Sequence, residues 1–416
     1  MVLYKLVSAE DFGVYSLLTS ITAIGFQILD YRPQEAVPRL MGVIDNSNQR
    51  KLIEVWVQLN ILDLLTKTVC AFSLIVFFAA SKYCLDKKPT NTESVAVVLI
   101  VVASTYVSKL GNGVAQAALR VTQNYHAIAI IVTVEHGAKL GYLAISYALG
   151  HESLNNILSG SLAISAIVCI AANIIGWKNW KQKYAPNLPL REFPPKNINR
   201  FLFNSRDNWK YVLGNVAFSI IDLPAKELDV IICSAYLKIQ DVGTYKLCKL
   251  AAGLLWKPFE PVLLILVPRL TLLIQTHDHK QIRDLVSKVS KTAFLVASVL
   301  YILELLLSSY GSAVYDKLGL QTAIHQLPYM TFWIVIAAPL VWTHSLLASF
   351  GLSWSILIAS IISNAVALWC INDLTASWGL KGAGVAWSLG LCGYYVVAFF
   401  ILLKNPKTKG IFNQCI

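Results

Sequence analysis

The sequence predicts an all-α polytopic membrane protein with about eleven visible transmembrane helices in two pseudo-symmetric bundles, and three observations carry that prediction. Of the 416 residues 56% are hydrophobic and only 14% are charged, with a mean hydropathy of +0.58, outside the usual range of a soluble globular domain. Apolar stretches of about 18 residues or more, long enough to cross the hydrocarbon core as helix, recur along the whole chain. The phrase "SAEDFGVYSLLTS" returns as "KIQDVGTYKLCKL", so that Asp11, Gly13, Tyr15 and Leu17 recur as Asp241, Gly243, Tyr245 and Leu247. A D-x-G-x-Y-x-L pattern at the entrance to an apolar run in both halves points to duplication, a common way of building transporters around a central pathway.

Read in order, the first half supplies spans at about 12–29, 62–80, 94–111, 127–149 and 156–177. The second supplies about 210–236, 244–270, 289–311, 328–350, 352–371 and 382–403. The expected organisation is an N-terminal bundle over 1–177, a basic cytoplasmic linker over 178–209 and a C-terminal bundle over 210–416. The linker, "KNWKQKYAPNLPLREFPPKNINRFLFNSRDNW", is basic and proline-rich and suits a surface facing phospholipid. Segment 30–61 is amphipathic from Lys51 onward, so its helix is expected to begin in the interface. Pro33 and Pro38 should break the helix before it.

Assigning alternate loops to opposite sides leaves only Lys5, Lys82, Lys87, Lys88, Lys238, Lys317 and Lys381 on one side. Of the 35 lysines and arginines, another seven fall inside spans, which leaves 21 on the opposite side. The basic side is expected to be cytoplasmic, which puts the C-terminus inside. The net charge of +12 is thereby explained without nucleic acid. The second motif copy follows a complete span whereas the first follows only "MVLYKLVSAE", so a first helix of a twelve-helix fold is expected to be missing ahead of it. The short loops leave no room for a soluble catalytic domain. Neither a G-x-G-x-x-G nor a P-loop pattern occurs, and the eight cysteines form no C-x-x-C pair, so no cofactor, metal or enzymatic activity is expected.

The basic residues inside spans are Lys67, Lys139, Lys226, Lys246, Lys249, Lys257 and Arg269. Each needs a partner or a hydrated cavity, because an ionisable group in the bilayer core costs on the order of several kcal/mol. Lys139 follows Glu135 by four residues, and Lys226 lies four after Asp222 and three before Asp229, spacings that suit mutual neutralisation on one helix face. Lys246, Lys249 and Lys257 fall close to one face of the segment after the second motif copy. Pro258 and Pro261 flank Phe259 and Glu260 and interrupt the helix beside that face. A cationic face next to broken helix suits an anionic substrate in a hydrated lumen. His136 and His344 could carry protons, though a lone histidine is more often structural. Glu304 in "LYILELLLSS" is an isolated acid, a possible proton or cation site with no partner visible in sequence.

The stretches "LVSAEDFGVYSLLTSI", "GVAQAALRVTQNYHAIAI", "LDVIICSAYLKIQDVGTYKLCKLAAGLLWKPFEPVLLILVPRL" and "GLKGAGVAWSLGL" resemble the polysaccharide-transporter flippases. These belong to the multidrug/oligosaccharidyl-lipid/polysaccharide exporter (MOP) superfamily, which includes O-antigen and exopolysaccharide repeat-unit flippases. The resemblance implies a flippase of the bacterial inner membrane that moves polyprenyl-diphosphate-linked oligosaccharide outward by alternating access. Its implied partners are that lipid-linked oligosaccharide, membrane lipids, and the polysaccharide polymerase and glycosyltransferases of surface polysaccharide assembly. Asp229 in "LDVII" is similar to the family's acidic position. By position, Arg32, Lys139, Lys226, Lys249 and Lys257, with Glu260 beside them, are the residues expected to line the substrate path. The alternatives are a multidrug/cation antiporter of the same superfamily, a peptidoglycan-precursor flippase, and a membrane enzyme such as a polymerase. A polymerase would need a large outer loop that this chain lacks.

Overall fold

In the computed structural model of the chain, residues 9–33, 37, 49–85, 92–122, 124–150, 154–184, 186, 206–221, 227–259, 262, 266, 269–270, 273–274, 276, 278–310, 321–350, 352–406 and 408 are described. Their elements are helical. They run α1 (Ala9–Ile28), α2 (Gln49–Leu85), α3 (Thr92–Asn112), α4 (Val114–Val121), α5 (Tyr125–Ala148), α6 (Leu154–Tyr184), α7 (Arg206–Ile221), α8 (Asp229–Tyr236) and α9 (Ile239–Trp256). A 3-10 turn over Lys257–Phe259 follows, then α10 (His279–Tyr310), α11 (Gln321–Thr331), α12 (Trp333–Ala337), a second 3-10 turn (Ala338–Leu340), α13 (Trp342–Ser349) and α14 (Ser353–Lys404). Among the described residues seven stretches are long and apolar enough to span a bilayer: Ile53–Ala79, Ala96–Val121, Tyr125–Ala148, Leu154–Tyr184, His279–Ser309, Gln321–Leu340 and Trp354–Lys404. The chain is a multi-span membrane protein.

The last stretch accounts for two passes. At about 1.5 Å per residue a helix of 52 residues would be more than twice as long as the ~30 Å hydrocarbon core is thick. The chain reverses at Gly379, whose φ of +59° is backbone that side chains disfavour. Beyond the reversal a Cβ on Gly382 would strike the Leu374 carbonyl, and Gly390 lies against Ala367 and accepts a hydrogen bond from the Ser363 hydroxyl. Pairs as distant in sequence as 374 with 382 and 363 with 390 are brought together only by two antiparallel arms. The expected spans 352–371 and 382–403 are these arms.

The chain divides into two compact units, one comprising Ser8–Leu17 with Ile221–Ile416 and the other Leu18–Ile220. In the N-terminal unit α6 packs against α3, α4 and α5. Its core gathers Tyr31, Trp56, Leu59, Ala117, Ala118 and Trp180, with Trp180 stacked on both Trp56 and Trp177 at centroid separations of 5.0 and 5.5 Å, the three rings forming a triangle. In the C-terminal unit Leu266, Leu270, Ile282, Trp342, Leu346 and Leu402 form a core between α10, α13 and α14. The helices are apolar all round. Leu64, Leu65 and Phe72 on α2 and Leu295, Ile302 and Leu307 on α10 remain exposed, the surface expected where lipid is the solvent.

Breaks fall where the sequence placed helix breakers. α1 ends at Ile28, ahead of Pro33, and Arg32 adopts φ +52°. α9 ends at Trp256 and gives way to the 3-10 turn that holds Pro258, so helix does not continue unbroken through the expected span 244–270. The span expected at 328–350 is divided among α11, α12, the second 3-10 turn and α13. Between Tyr184 and Arg206 the expected linker lies largely outside the described residues, as do 38–48 of the amphipathic segment.

The two motif copies meet each other. A Cβ on Gly243 would lie 2.9 Å from Phe12 Cδ1 and 3.1 Å from Gly13 Cα, and a Cβ on Gly13 would collide with the Ile239 carbonyl. Glycine in both copies lets the first turns of α1 and α9 touch backbone to backbone, the small-residue packing that associates helices where lipid supplies no hydrophobic drive. Gly243→Val should therefore destabilise the purified protein by about 1–3 kcal/mol through overpacking, read as a lowered melting temperature in detergent. Gly253→Ala, on the same helix with open space around it, should leave stability unchanged or slightly raised.

Candidate functional site

α8 and α9 form an antiparallel pair joined by Leu237 and Lys238, whose extended backbone ends one helix and starts the next. Asp229 stands in the first turn of α8 and is buried, with 4% of its surface exposed. Tyr245 and Lys249 are four residues apart and therefore share one face of α9. Both reach the same carboxylate: the Tyr245 hydroxyl donates to Asp229 Oδ2 at 2.6 Å, and Lys249 Nζ donates to Oδ1 and Oδ2 at 2.8 and 2.7 Å. Lys246, rotated away by one residue, pairs with Glu227. The tyrosine is the motif's own, so the repeated phrase supplies both the glycine that seats α9 and the hydroxyl that holds the acid.

Asp229 also lines a small cavity with Ser363, Asn364, Ile371, Trp387 and Gly390 of α14. Asn364 is fixed there by donating to the Ile221 carbonyl at 2.6 Å. Lys249 Nζ lies 6.0 Å from the centroid of the Trp387 ring, an added attraction for the cation. The cavity thus has an apolar wall, two neutral polar side chains and one acid, which is paired with Lys249 outside the lining.

Lys249, twenty residues on, neutralises Asp229, while the expected pairings of Lys226 with Asp222 and Asp229 lie outside the described residues. Lys226 and Glu260 lie outside the described residues. Lys257 sits in the 3-10 turn after α9, exposed beside buried Phe259, and Lys246 and Lys249 serve different acids.

Arg32 and Lys139 belong to the N-terminal unit. Arg32 N donates to Asp30 Oδ1 at 3.0 Å, and its Nε donates to Ser219 Oγ at 3.1 Å. Lys139 pairs with Glu135 at 2.6 Å, the i,i+4 neutralisation its spacing suggested, beside a small cavity that also takes in Ser108, Ser165 and Cys169. Asp63 and Lys67 on α2 have the same spacing and also pair. Lys67 Nζ donates to Asp63 Oδ2 at 2.6 Å and to the Lys109 carbonyl at 2.6 Å, close to Gly113, where α3 breaks from α4. Among the described residues no group of three histidine, cysteine or acidic side chains is placed to hold a metal ion.

No protein-family model matches the chain, and no curated protein sequence matches it. Solved structures do. A multidrug resistance MATE family transporter of the MOP superfamily, in its inward-facing conformation, superposes with a TM-score of 0.71 at 14% identity, covering 96% of this chain and 92% of that one. The lipid II flippase MurJ, in an inward closed conformation, gives a TM-score of 0.68 at 14% identity over 100% of this chain and 88% of that one. A MOP superfamily transporter from Pyrococcus furiosus, described as having a binding pocket of reversed polarity, gives 0.62 at 12% identity over 99% and 95%. The chain has the fold of the MOP superfamily transporters.

Proposed function

We propose that the protein is a flippase that carries polyprenyl-diphosphate-linked oligosaccharide across the bacterial inner membrane by alternating access, for surface polysaccharide biosynthesis. The observation that carries this reading is Lys249 bound to Asp229, an acid that lines the cavity. A diphosphate head group carries negative charge and many hydroxyls and cannot cross the hydrocarbon core without replacing its hydration. Lys249 is held by a carboxylate that also accepts from Tyr245, so when the lysine turns to a phosphate oxygen the acid keeps one hydrogen bond. The cavity has room for about a water molecule in this conformation, so the phosphates reach Lys249 only when α14 moves away from α8, while the lipid tail stays in the bilayer. Lys257, exposed at the end of α9, is the second cation we assign to the substrate path, with Arg32, Lys139, Lys226 and Glu260 as further lining residues by position.

One observation favours a second reading: a buried acid beside Ser363 and Asn364 is also chemistry for a cation, as a multidrug/cation antiporter of the same fold would use. The two readings part at Lys249. Removing Lys249 alone would leave a buried carboxylate unpaired and cost about 3–5 kcal/mol, so the informative variant is Lys249→Met with Asp229→Asn. In a cell that depends on the protein for export, this double variant should insert at normal abundance, cut surface glycan at least about tenfold, the loss expected for one charge-assisted bond to phosphate, and accumulate lipid-linked repeat units. Lys257→Ala should lower export by a smaller factor. Undiminished export in the double variant contradicts the assignment, and cation resistance lost together with intact export favours the antiporter.

A further inference from the structure

The stretch Ala96–Val121 is long enough to cross the bilayer, yet helix breaks inside it. α3 ends at Asn112, Gly113 leaves helical geometry at ψ −113°, and α4 begins at Val114. Such a break strips carbonyls at the end of one half-helix and N–H groups at the start of the next of their usual partners. A bilayer tolerates it only where protein or enclosed water replaces them.

Here α2 supplies the replacement. Lys67 Nζ donates to the Lys109 carbonyl and to Asp63 Oδ2, each at 2.6 Å, and a Cβ on Gly113 would lie 2.5 Å from both Lys67 Nζ and Asp63 Oδ2. The pair therefore fills the break, with its cation on the carbonyl end of α3. A basic residue in a helix's own last turn ordinarily takes that place. Lys109 is the basic residue of that turn, but Lys67 already holds its carbonyl.

The Lys109 ammonium lies instead 3.8 Å from Asp30 Oδ2, beyond hydrogen-bond range, with 39% of the side chain exposed. Lys67, Lys139 and Lys249 meet their acids at 2.6–2.7 Å with 27% or less exposed. Asp30 is engaged elsewhere, since its Oδ1 accepts from Arg32 N at 3.0 Å. Asp30, Arg32, Asp63, Lys67 and Lys109 together carry three positive charges and two negative ones, a balance that favours an anion.

We propose that Lys109 is an anion-binding residue of the N-terminal unit, whose ammonium leaves Asp30 for an oxygen of the substrate's diphosphate. Lys67 is the positioning residue that frees it, by holding the α3 carbonyl in its stead. The exchange gives up a long, half-exposed contact for a charge-assisted bond of about 2.8 Å, and Asp30 keeps the Arg32 N–H. The identity of the ligand rests on the export reading; the geometry does not, and it involves neither Lys249 nor the cavity beside Asp229.

The test is equilibrium binding of undecaprenyl diphosphate, and separately of uncharged undecaprenol, to the purified full chain in detergent by microscale thermophoresis. The wild type should bind the diphosphate more tightly than the alcohol. Lys109→Met should weaken diphosphate binding about tenfold, the loss of one charge-assisted bond, and leave the alcohol unaffected, while Lys109→Arg should retain most of the affinity. Lys178→Met, which removes an exposed cation of α6, should change neither. Lys67→Met with Asp63→Asn should also weaken the diphosphate, and adding Lys109→Met to it should cost clearly less than Lys109→Met costs alone. A wild type without preference for the diphosphate overturns this site and the export reading together. A preference that survives Lys109→Met but is lost in Lys249→Met with Asp229→Asn overturns this site and leaves that reading standing. Equal losses in Lys109→Met and Lys178→Met also overturn the site, and strict additivity with the Lys67 and Asp63 changes overturns the positioning role.

Discussion

Inside a bilayer core water is not at hand to satisfy a polar group, so every charge, hydroxyl and freed carbonyl in a span must find its partner in the protein. The charged side chains of this chain are arranged accordingly. Lys67 caps the end of α3 by donating to the Lys109 carbonyl and is neutralised by Asp63. Lys139 answers Glu135, Lys246 answers Glu227 and Lys249 answers Asp229. Hydroxyls turn back on their own helices, as Thr66 does to Leu62 and Thr105 to Val101. Glu304 accepts from the Thr331 hydroxyl at 2.8 Å.

Such pairs do little for net stability, because desolvating two ions offsets most of their attraction. That near balance is what a transport site needs. In the proposed export reading a substrate phosphate replaces Asp229 as the partner of Lys249 without a large change in free energy, whereas a pair that contributed strongly would hold the lysine against any ligand. The Tyr245 hydroxyl keeps the exchange from leaving a bare carboxylate. In the proposed cycle, then, binding energy goes into exchanging partners around α9, which is itself seated through the Gly13 and Gly243 contact.

Much of the fold could be read from the sequence because lipid imposes a simple rule on helix length and composition. The spans, the turn separating the last two and the breaks at Pro33 and Pro258 all come from apolar runs and from residues that helices reject. The site was less legible. Glu135 with Lys139 was visible because both lie on one helix at a spacing of four, and Asp63 with Lys67 had the same signal. Asp229 with Lys249 and Glu227 with Lys246 are 20 and 19 residues apart on neighbouring helices, and no periodicity announces a pairing across a turn. Tyr245 was already marked by the repeat, but its motif position gave no hint that the hydroxyl would point at an acid. Thr331 as the partner of Glu304 depends on how α10 and α11 are rotated about their axes, which packing decides.

The central claim is that the cavity beside Lys249 takes an anionic lipid head group. Its most direct test is native mass spectrometry of the purified full chain presented with undecaprenyl diphosphate, uncharged undecaprenol and a lipophilic drug cation in competition. Retention of the diphosphate lipid in clear preference to both competitors, with that preference falling as ionic strength rises, is the predicted result. Equal retention of the uncharged alcohol, or preference for the cation, would contradict it.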